Sequence, residues 1–414
     1  MKKYGCIGKK LTHSFSKEIH NKLADYEYEL IEITENQVGA FLQKKDFTAI
    51  NVTIPYKETV IPYLDCVSDI ASKIGAVNTI INRDGKLYGY NTDYYGMKSL
   101  IDKLSLNLLD KKVLILGTGG TSKTARVLAH DLGASQILTV SRSKSDDYID
   151  YSDAVSLHFD ADVIINTTPL GMYPECDSKP IDLLYFTKLE GLIDAVYNPL
   201  RTNLVLDAIE RGVTAEGGLY MLVMQAVVAV EKFLNTKIDI NTAKNAFLDV
   251  FYEKENVVLI GMPSSGKSTV GKLLNIDGFE FFDTDTEIEK FCGCSIGELI
   301  ATKGEQYFRD IETKVVKDVS SKGGRIIATG GGAVLREENV RALKQNGKLF
   351  FLDADIKRLT ATEDRPLSNT NDKLLILYNE RINIYKSVAD IIVPDMLSPE
   401  LEVDYILAKR NEMN

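Results

Sequence analysis

Val257-Val258-Leu259-Ile260-Gly261-Met262-Pro263-Ser264-Ser265-Gly266-Lys267-Ser268 is the stretch on which the fold turns. Its apolar opening reads as a buried parallel strand. The segment Gly261–Ser268 satisfies G-x-x-x-x-G-K-[ST], and Thr269-Val270-Gly271-Lys272-Leu273-Leu274 continues as a helix. Strand, glycine loop and helix in that order cradle phosphate. Backbone N–H groups close around a β-phosphate, Lys267 brings a point charge to the β- and γ-phosphates, and the Ser268 hydroxyl is placed to ligate Mg²⁺. The reading is a nucleoside triphosphate site made by Gly261, Ser264, Ser265, Gly266, Lys267, Ser268 and Thr269.

Working back along the chain, a second glycine loop, Gly117-Thr118-Gly119-Gly120-Thr121-Ser122-Lys123-Thr124-Ala125, follows another apolar run, Lys112 to Leu116. It is an incomplete G-x-G-x-x-G, because Ser122 holds the last glycine place. Its position between strand and helix still predicts a dinucleotide pyrophosphate at a helix amino end, on Gly117, Gly119, Gly120 and Thr121. The next strand ends in Ser141-Arg142-Ser143-Lys144, where an acidic residue would select the 2′-hydroxyl of NAD. Arg142 selects a 2′-phosphate instead, so NADP is the expected cofactor, held by Ser141, Arg142 and Ser143. Strand-like runs recur at Gln136–Val140, Asp162–Asn166 and Gly191–Asp194, a parallel βαβ series.

A dinucleotide fold carries its loop after its first strand, yet this loop begins about a hundred residues in. Residues 1–104 are therefore expected to form a separate substrate lobe. From Gly218 the pattern turns helical, with Met221, Leu222, Gln225 and Ala229 at helical spacing, as if the chain returns to that lobe. The expected fold is α/β, with a substrate lobe at 1–104 completed by 217–252, a Rossmann-like lobe at 105–216, and an α/β/α domain with a parallel sheet at 253–414. The charged Tyr252-Glu253-Lys254-Glu255-Asn256 is the predicted joint.

Bulk properties suit this division. The chain has 414 residues, 44% hydrophobic and 26% charged, enough for several cores. Its net charge of −10, from 59 acidic and 49 basic residues, and the absence of any dense basic block argue against a nucleic-acid partner. Five scattered cysteines show neither zinc spacing nor a disulfide framework. Glycine and lysine interrupt the apolar core a signal peptide would need at the start. The oily stretch Leu219–Val230 falls short of the roughly 20 residues that span a bilayer. The expectation is a cytoplasmic protein without a membrane partner; the oligomeric state is not specified.

Around the triphosphate loop stand Phe282-Asp283-Thr284-Asp285, Gly304-Glu305-Gln306-Tyr307-Phe308-Arg309-Asp310-Ile311-Glu312, Thr329-Gly330-Gly331-Gly332, Asp364-Arg365-Pro366-Leu367 and Arg381-Ile382-Asn383-Ile384-Tyr385. In this order they resemble the shikimate kinases over nearly all of residues 256–414. The resemblance implies ATP as phosphoryl donor, Mg²⁺ held by Ser268 and, through water, by Asp283, and Asp285 orienting the attacking hydroxyl of shikimate. It also implies Arg309 and Arg381 on the substrate carboxylate, Gly330, Gly331 and Gly332 against its ring, and Arg365 on a lid reaching the transferring phosphate. Guanidinium forks match a planar carboxylate better than ammonium groups do. Ser368 stands where that family often has a second leucine.

The first half carries His13-Ser14-Phe15-Ser16, Asn51-Val52-Thr53-Ile54-Pro55-Tyr56-Lys57, Gly75-Ala76-Val77-Asn78-Thr79, Gly89-Tyr90-Asn91-Thr92-Asp93, Asn166–Met172, Asp194-Ala195-Val196-Tyr197-Asn198-Pro199 and Gly218–Ala226. These resemble the shikimate dehydrogenases over residues 3 to about 250, with Lys17 where the family commonly has proline. The resemblance implies Lys57 and Asp93 as the catalytic pair, either of which could carry the proton, and Ser14, Ser16, Thr53, Asn78 and Gln225 on the carboxylate and ring hydroxyls. Tyr197 and Gly218 would lie on the nicotinamide side. A glutamine among Met221, Leu222, Val223, Val227 and Val228 is costly to bury unless bonded, which favours a ligand role for Gln225.

Together the halves imply reduction of 3-dehydroshikimate to shikimate with NADPH, then phosphorylation of shikimate by ATP. Two neighbouring readings use the same residues: quinate or another polyol as substrate of one half, and a sensor that binds nucleotide without turnover. Sequence leaves open whether the intermediate passes directly between sites.

Overall fold

The computed structural model describes residues 3–11, 14–360 and 370–412. His13 and the Asp364–Leu367 motif with Arg365 lie outside them. The chain divides into two compact units, Met1–Val250 and Phe251–Asn414.

The first unit holds two sheets. One comprises Tyr4–Gly8 (β1), Tyr28–Glu32 (β2), Ala49–Val52 (β3), Cys66–Val67 (β4), Thr79–Arg83 (β5) and Lys86–Tyr90 (β6), in the order β2-β1-β3-β5-β6-β4. It is mixed: β1, β2 and β3 run parallel, and β5 and β6 form an antiparallel hairpin. The hairpin turns on Asp84-Gly85, whose φ angles are 52° and 79°, the double positive φ that an Asp-Gly turn favours. Helix Leu219–Leu234 packs on helices Ser16–Leu23 and Asp93–Lys103, and Ala229 and Phe233 join Tyr4, Cys6 and Tyr28 in one core.

The other sheet of this unit is Lys112–Leu116 (β7), Gln136–Ser141 (β8), Ile149–Asp150 (β9), Val163–Asn166 (β10), Gly191–Asp194 (β11) and Thr214–Glu216 (β12), ordered β12-β11-β10-β7-β8-β9 with every pairing parallel. Apolar clusters cover both faces, Val113, Ile115 and Ile165 on one and Leu114, Leu116 and Ile164 on the other. That is why these strands read as unbroken apolar runs.

The second unit has a parallel sheet of Asn256–Ile260 (β13), Glu280–Asp283 (β14), Arg325–Ala328 (β15), Gly347–Asp353 (β16) and Ile391–Pro394 (β17), ordered β14-β15-β13-β16-β17. Both faces are again covered. Residues 252–254 are not a loop: they end the helix Ile240–Lys254, which buries Ala243, Ala246, Phe247 and Val250 at helical spacing. No described helix is long and apolar enough to cross a membrane.

Candidate active sites

In the first unit a turn after β3 carries Lys57, and Asp93 opens the helix Asp93–Lys103. Lys57 Nζ donates to Asp93 Oδ2 at 2.6 Å, with 14% and 10% of the side chains exposed. The other oxygen, Asp93 Oδ1, accepts from Asn78 Nδ2 at 2.9 Å. Gln225 closes the group: its Oε1 accepts from Thr92 Oγ1 at 3.1 Å and lies 3.4 Å from Asn78 Nδ2, while its Nε2 donates to the Leu222 carbonyl. Gly96 permits this approach, since a Cβ there would stand 2.4 Å from the Met221 carbonyl and 2.9 Å from Gln225 Cβ. The partner that a buried glutamine requires is therefore supplied by a neighbouring helix.

Ser14 and Ser16 bond to each other, Oγ to Oγ at 3.0 Å. Phe15 between them lies against the Tyr197 ring, centroids 5.2 Å apart. Thr53 stands at the carboxyl end of β3, where its amide donates to the Ile7 carbonyl of β1. The structure thus joins Lys57, Asp93, Asn78 and Gln225 directly, and ties the serines to Tyr197 through Phe15. Asn51 also belongs to this network: its Nδ2 reaches the Asn78 carbonyl at 3.3 Å and Thr79 Oγ1 at 3.1 Å. An asparagine inside a wholly buried strand is the signal that could have singled it out, by the same reasoning as for Gln225.

On the nucleotide side, Gly117 has φ of 104° and Gly119 precedes the uncapped amino end of helix Gly120–Asp131. Those amide groups are available to a phosphate. Ser122 in the last glycine place is buried without disturbing the helix. A Cβ on Gly120 would lie 3.6 Å from Lys57 Cδ, so this helix end abuts the lysine. The β7–β8 register, Leu116 beside Val140, brings Ser141, Arg142 and Ser143 next to Gly117, with the Arg142 side chain exposed. Residues Thr121 and Ser141 are half-buried beside it.

Tyr197 is placed by a loop with its own buried anchor. Asp194, at the end of β11, accepts from Thr202 Oγ1 at 2.6 Å, Asn166 Nδ2 at 2.9 Å and the Val196 amide at 3.0 Å. Burial pushes its carboxyl up to about 6 against the pull of those donors. Gly218 seats the loop, because a Cβ there would come within 2.3 Å of the Ala195 carbonyl.

In the second unit the loop after β13 is held by Gly261 and Gly266, with φ of 149° and 89°, and by Ser264 at 65°. Lys267 Nζ donates to the carbonyls of Gly261 at 2.9 Å and Met262 at 2.7 Å. Ser265 is buried beside that lysine, and Thr269 is exposed on the helix Lys267–Leu273. Ser268 Oγ bonds to Asp283 Oδ2, bringing together the two oxygens expected to serve Mg²⁺, a hard cation that takes oxygen donors. Asp283 also caps helix Thr284–Cys292 through the Asp285 and Thr286 amides.

Asp285 faces Gly330, where a Cβ would be 2.4 Å from Asp285 Oδ1. A Cβ on Gly332 would be 2.2 Å from Arg309 Nη1, and one on Gly331 would meet Pro263 at 2.8 Å. Arg381 Nη1 donates to the Gly331 carbonyl at 3.1 Å, and its Nε is buried without a hydrogen-bond partner among the described residues. A buried guanidinium with an unmet N–H suits an anionic ligand.

Glu312, which closes the Gly304–Glu312 motif and to which the sequence reading gives no role, holds Arg309: the two meet at 2.8 Å. The Arg309-x-x-Glu312 spacing on helix Glu305–Ser320 was the available signal. Burial alone would lower the Arg309 pKa, but Glu312 and Glu305 outweigh it and raise it. Burial lifts the Glu312 carboxyl, with Arg309, Arg336 and Arg381 opposing.

Residues 6–80 match the family described as shikimate dehydrogenase substrate binding domain, and residues 263–410 match the shikimate kinase family. A shikimate dehydrogenase (NADP(+)) of Clostridium beijerinckii is 37% identical over 254 residues, which are 58% of this chain and 94% of that protein. The structure of shikimate dehydrogenase 1 from Peptoclostridium difficile is similar with a TM-score of 0.57 and 35% identity, covering 60% of this chain and 98% of that one. A chorismate mutase/shikimate 5-dehydrogenase fusion protein from Clostridium acetobutylicum matches with a TM-score of 0.57 and 33% identity, over 60% of this chain and 97% of its own. The chain therefore belongs to the shikimate dehydrogenase family and carries, at residues 263–410, a shikimate kinase domain.

Proposed function

We propose that this is a bifunctional enzyme: one half reduces 3-dehydroshikimate to shikimate with NADPH, and the other phosphorylates the 3-hydroxyl of shikimate with ATP and Mg²⁺. The observation that carries the reading is the Lys57–Asp93 contact at 2.6 Å, set among amide side chains and abutting a nucleotide-loop helix. Bound NADPH supplies hydride to one face of the carbonyl carbon, and bound MgATP supplies the phosphoryl group. Lys57 delivers the proton to the developing alkoxide, and Asp93 holds the lysine and a substrate hydroxyl. Ser14, Ser16, Thr53, Asn78 and Gln225 bind the carboxylate and ring hydroxyls with neutral groups. Arg142 holds the 2′-phosphate, and Tyr197 sits between substrate and nicotinamide.

In the kinase half Asp285 orients the attacking hydroxyl, and Arg309 and Arg381 grip the carboxylate. Lys267 steadies the phosphates, Ser268 and Asp283 hold Mg²⁺, and Arg365 reaches the transferring group. The functional bodies are 1–104 with 217–252, 105–216, and 253–414, and the working compartment is the cytoplasm. Incubation with 3-dehydroshikimate, NADPH and MgATP, followed by mass analysis, tests the whole reading. Shikimate 3-phosphate is expected, and shikimate alone when ATP is left out. Failure of either conversion, with nucleotides still bound, removes the corresponding half of the assignment.

A further inference from the structure

Behind the Lys57–Asp93 pair runs a buried chain of polar side chains whose far end is a tyrosine. Tyr28, on β2, donates its hydroxyl to Asn51 Oδ1 at 2.7 Å. Asn51 Nδ2 donates to the Asn78 carbonyl and to Thr79 Oγ1. Thr79 Oγ1 donates to Asn78 Oδ1 at 3.1 Å, and the Thr92 amide donates to the same oxygen at 2.7 Å. Asn78 Nδ2 is left to face Asp93 Oδ1. Tyr28, Asn78, Thr79 and Thr92 are all at most 2% exposed.

We propose that Tyr28 is a positioning residue of the dehydrogenase: it caps the Asn51 carboxamide, which together with the Thr92 amide holds Asn78 still with its Nδ2, and not its oxygen, toward Asp93. A backbone carbonyl only accepts, so the Asn78 carbonyl forces Asn51 to point Nδ2 toward it and Oδ1 toward Tyr28. Tyr28 must then donate. Thr79 Oγ1 accepts from Asn51 and donates onward to Asn78 Oδ1, which the Thr92 amide also holds, so Asn78 Nδ2 meets a carboxylate that accepts from it and from Lys57. Without the Tyr28 hydroxyl, Asn51 Oδ1 is a buried acceptor with its main donor gone, and the amide has reason to rotate.

Tyr28 is itself held still. Its ring stacks on His20 at 3.9 Å between centroids with 16° between planes, and His20 Nδ1 bonds the Tyr26 hydroxyl at 2.7 Å. His20 is fully buried, which holds its pKa down at about 3, so it enters the stack as a neutral ring.

This inference rests on the dehydrogenase reading, and one experiment separates the two. The full-length wild type, Tyr28→Phe, Thr79→Val and the double variant are assayed for 3-dehydroshikimate reduction, with NADPH and with NADPH deuterated at the transferring position. An inactive wild type refutes the dehydrogenase reading itself. With an active wild type, each single variant is expected to lose roughly tenfold in kcat, the cost of one buried hydrogen bond, with KM for NADPH unchanged. The isotope effect on kcat should rise as hydride transfer becomes slower. Because both residues act along one chain, the double variant should lose little more than the worse single one. An unchanged Tyr28→Phe kcat, a roughly hundredfold multiplicative loss in the double variant, or lower activity with an unmoved isotope effect would each overturn the proposal.

Discussion

Arg309 and Glu312, neighbours on one face of helix Glu305–Ser320, meet at 2.8 Å with only 9% and 1% of their side chains exposed. The arginine proposed to grip the substrate carboxylate is thus already oriented by a buried acid. Glu312→Gln keeps the shape and removes the charge, so KM for shikimate should rise about tenfold while KM for ATP stays within about twofold, as for loss of one charge-assisted hydrogen bond. Arg309→Ala is a harsher change. It strands the Glu312 carboxyl in the interior, at about 3–5 kcal/mol, and should lower the melting temperature of the kinase half as well as its activity.

The Lys57–Asp93 pair predicts a clean division of labour. Lys57→Met should lower NADPH oxidation by 3-dehydroshikimate by about 10²–10⁴-fold. Shikimate-dependent ADP formation should be untouched. Loss of both activities, measured in the same preparation, would show that the halves are not independent catalysts.

Arg142 is exposed beside Gly117, where we propose that it engages the cofactor 2′-phosphate. Arg142→Ala should raise KM for NADPH about tenfold to a hundredfold, the weight of a charged hydrogen bond, and leave KM for NADH nearly unchanged. Equal effects on both cofactors would assign the arginine a role other than 2′-phosphate recognition.

Asp194 predicts a pH dependence with a definite sign. Its carboxyl titrates near 6 in the fold against 3.8 ordinarily, so the folded protein binds the extra proton more tightly. The fold therefore keeps this contribution below about pH 4 and loses it as pH rises through about 6, by at most about 3 kcal/mol. Asp194→Asn should match wild type at pH 4 and exceed it at pH 7.5. Amide exchange of peptides from β10 and β11, read by mass spectrometry, isolates this sheet; equal protection in the two proteins at both pH values would contradict the expectation.

The parallel sheets are legible in the sequence because strands buried on both faces cannot alternate: Lys112–Leu116 and Val257–Ile260 announce themselves by composition. The segment 252–256 is a helix end running straight into a strand: only Glu253 of its charges is exposed, Glu255 is buried, and Asn256 is buried in service of the backbone, bonding the Lys322 carbonyl and the Arg325 amide. The mixed first sheet is hard to see, although Asp84-Gly85 marks its hairpin. Loops and motif residues of the sites are visible locally. Their partners are not, because Gln225 meets Asn78 across 147 positions and Arg381 meets Gly331 across 50. Asn51, Asp194 and Glu312 escape for that reason: each is a buried polar group whose meaning lies in what the fold brings to it.

The glycine triplet after β15 has one more implication. Gly330, Gly331 and Gly332 are each moulded to a different feature, namely the Asp285 carboxylate, the Pro263 ring and the Arg309 guanidinium. Segments far apart in the chain therefore share a single template, and none can drift alone. Redesign of the kinase half for a new acceptor would have to exchange the triplet, the Asp285 turn and the Arg309 helix as one block, because a graft of any one of them meets the unaltered surfaces of the other two.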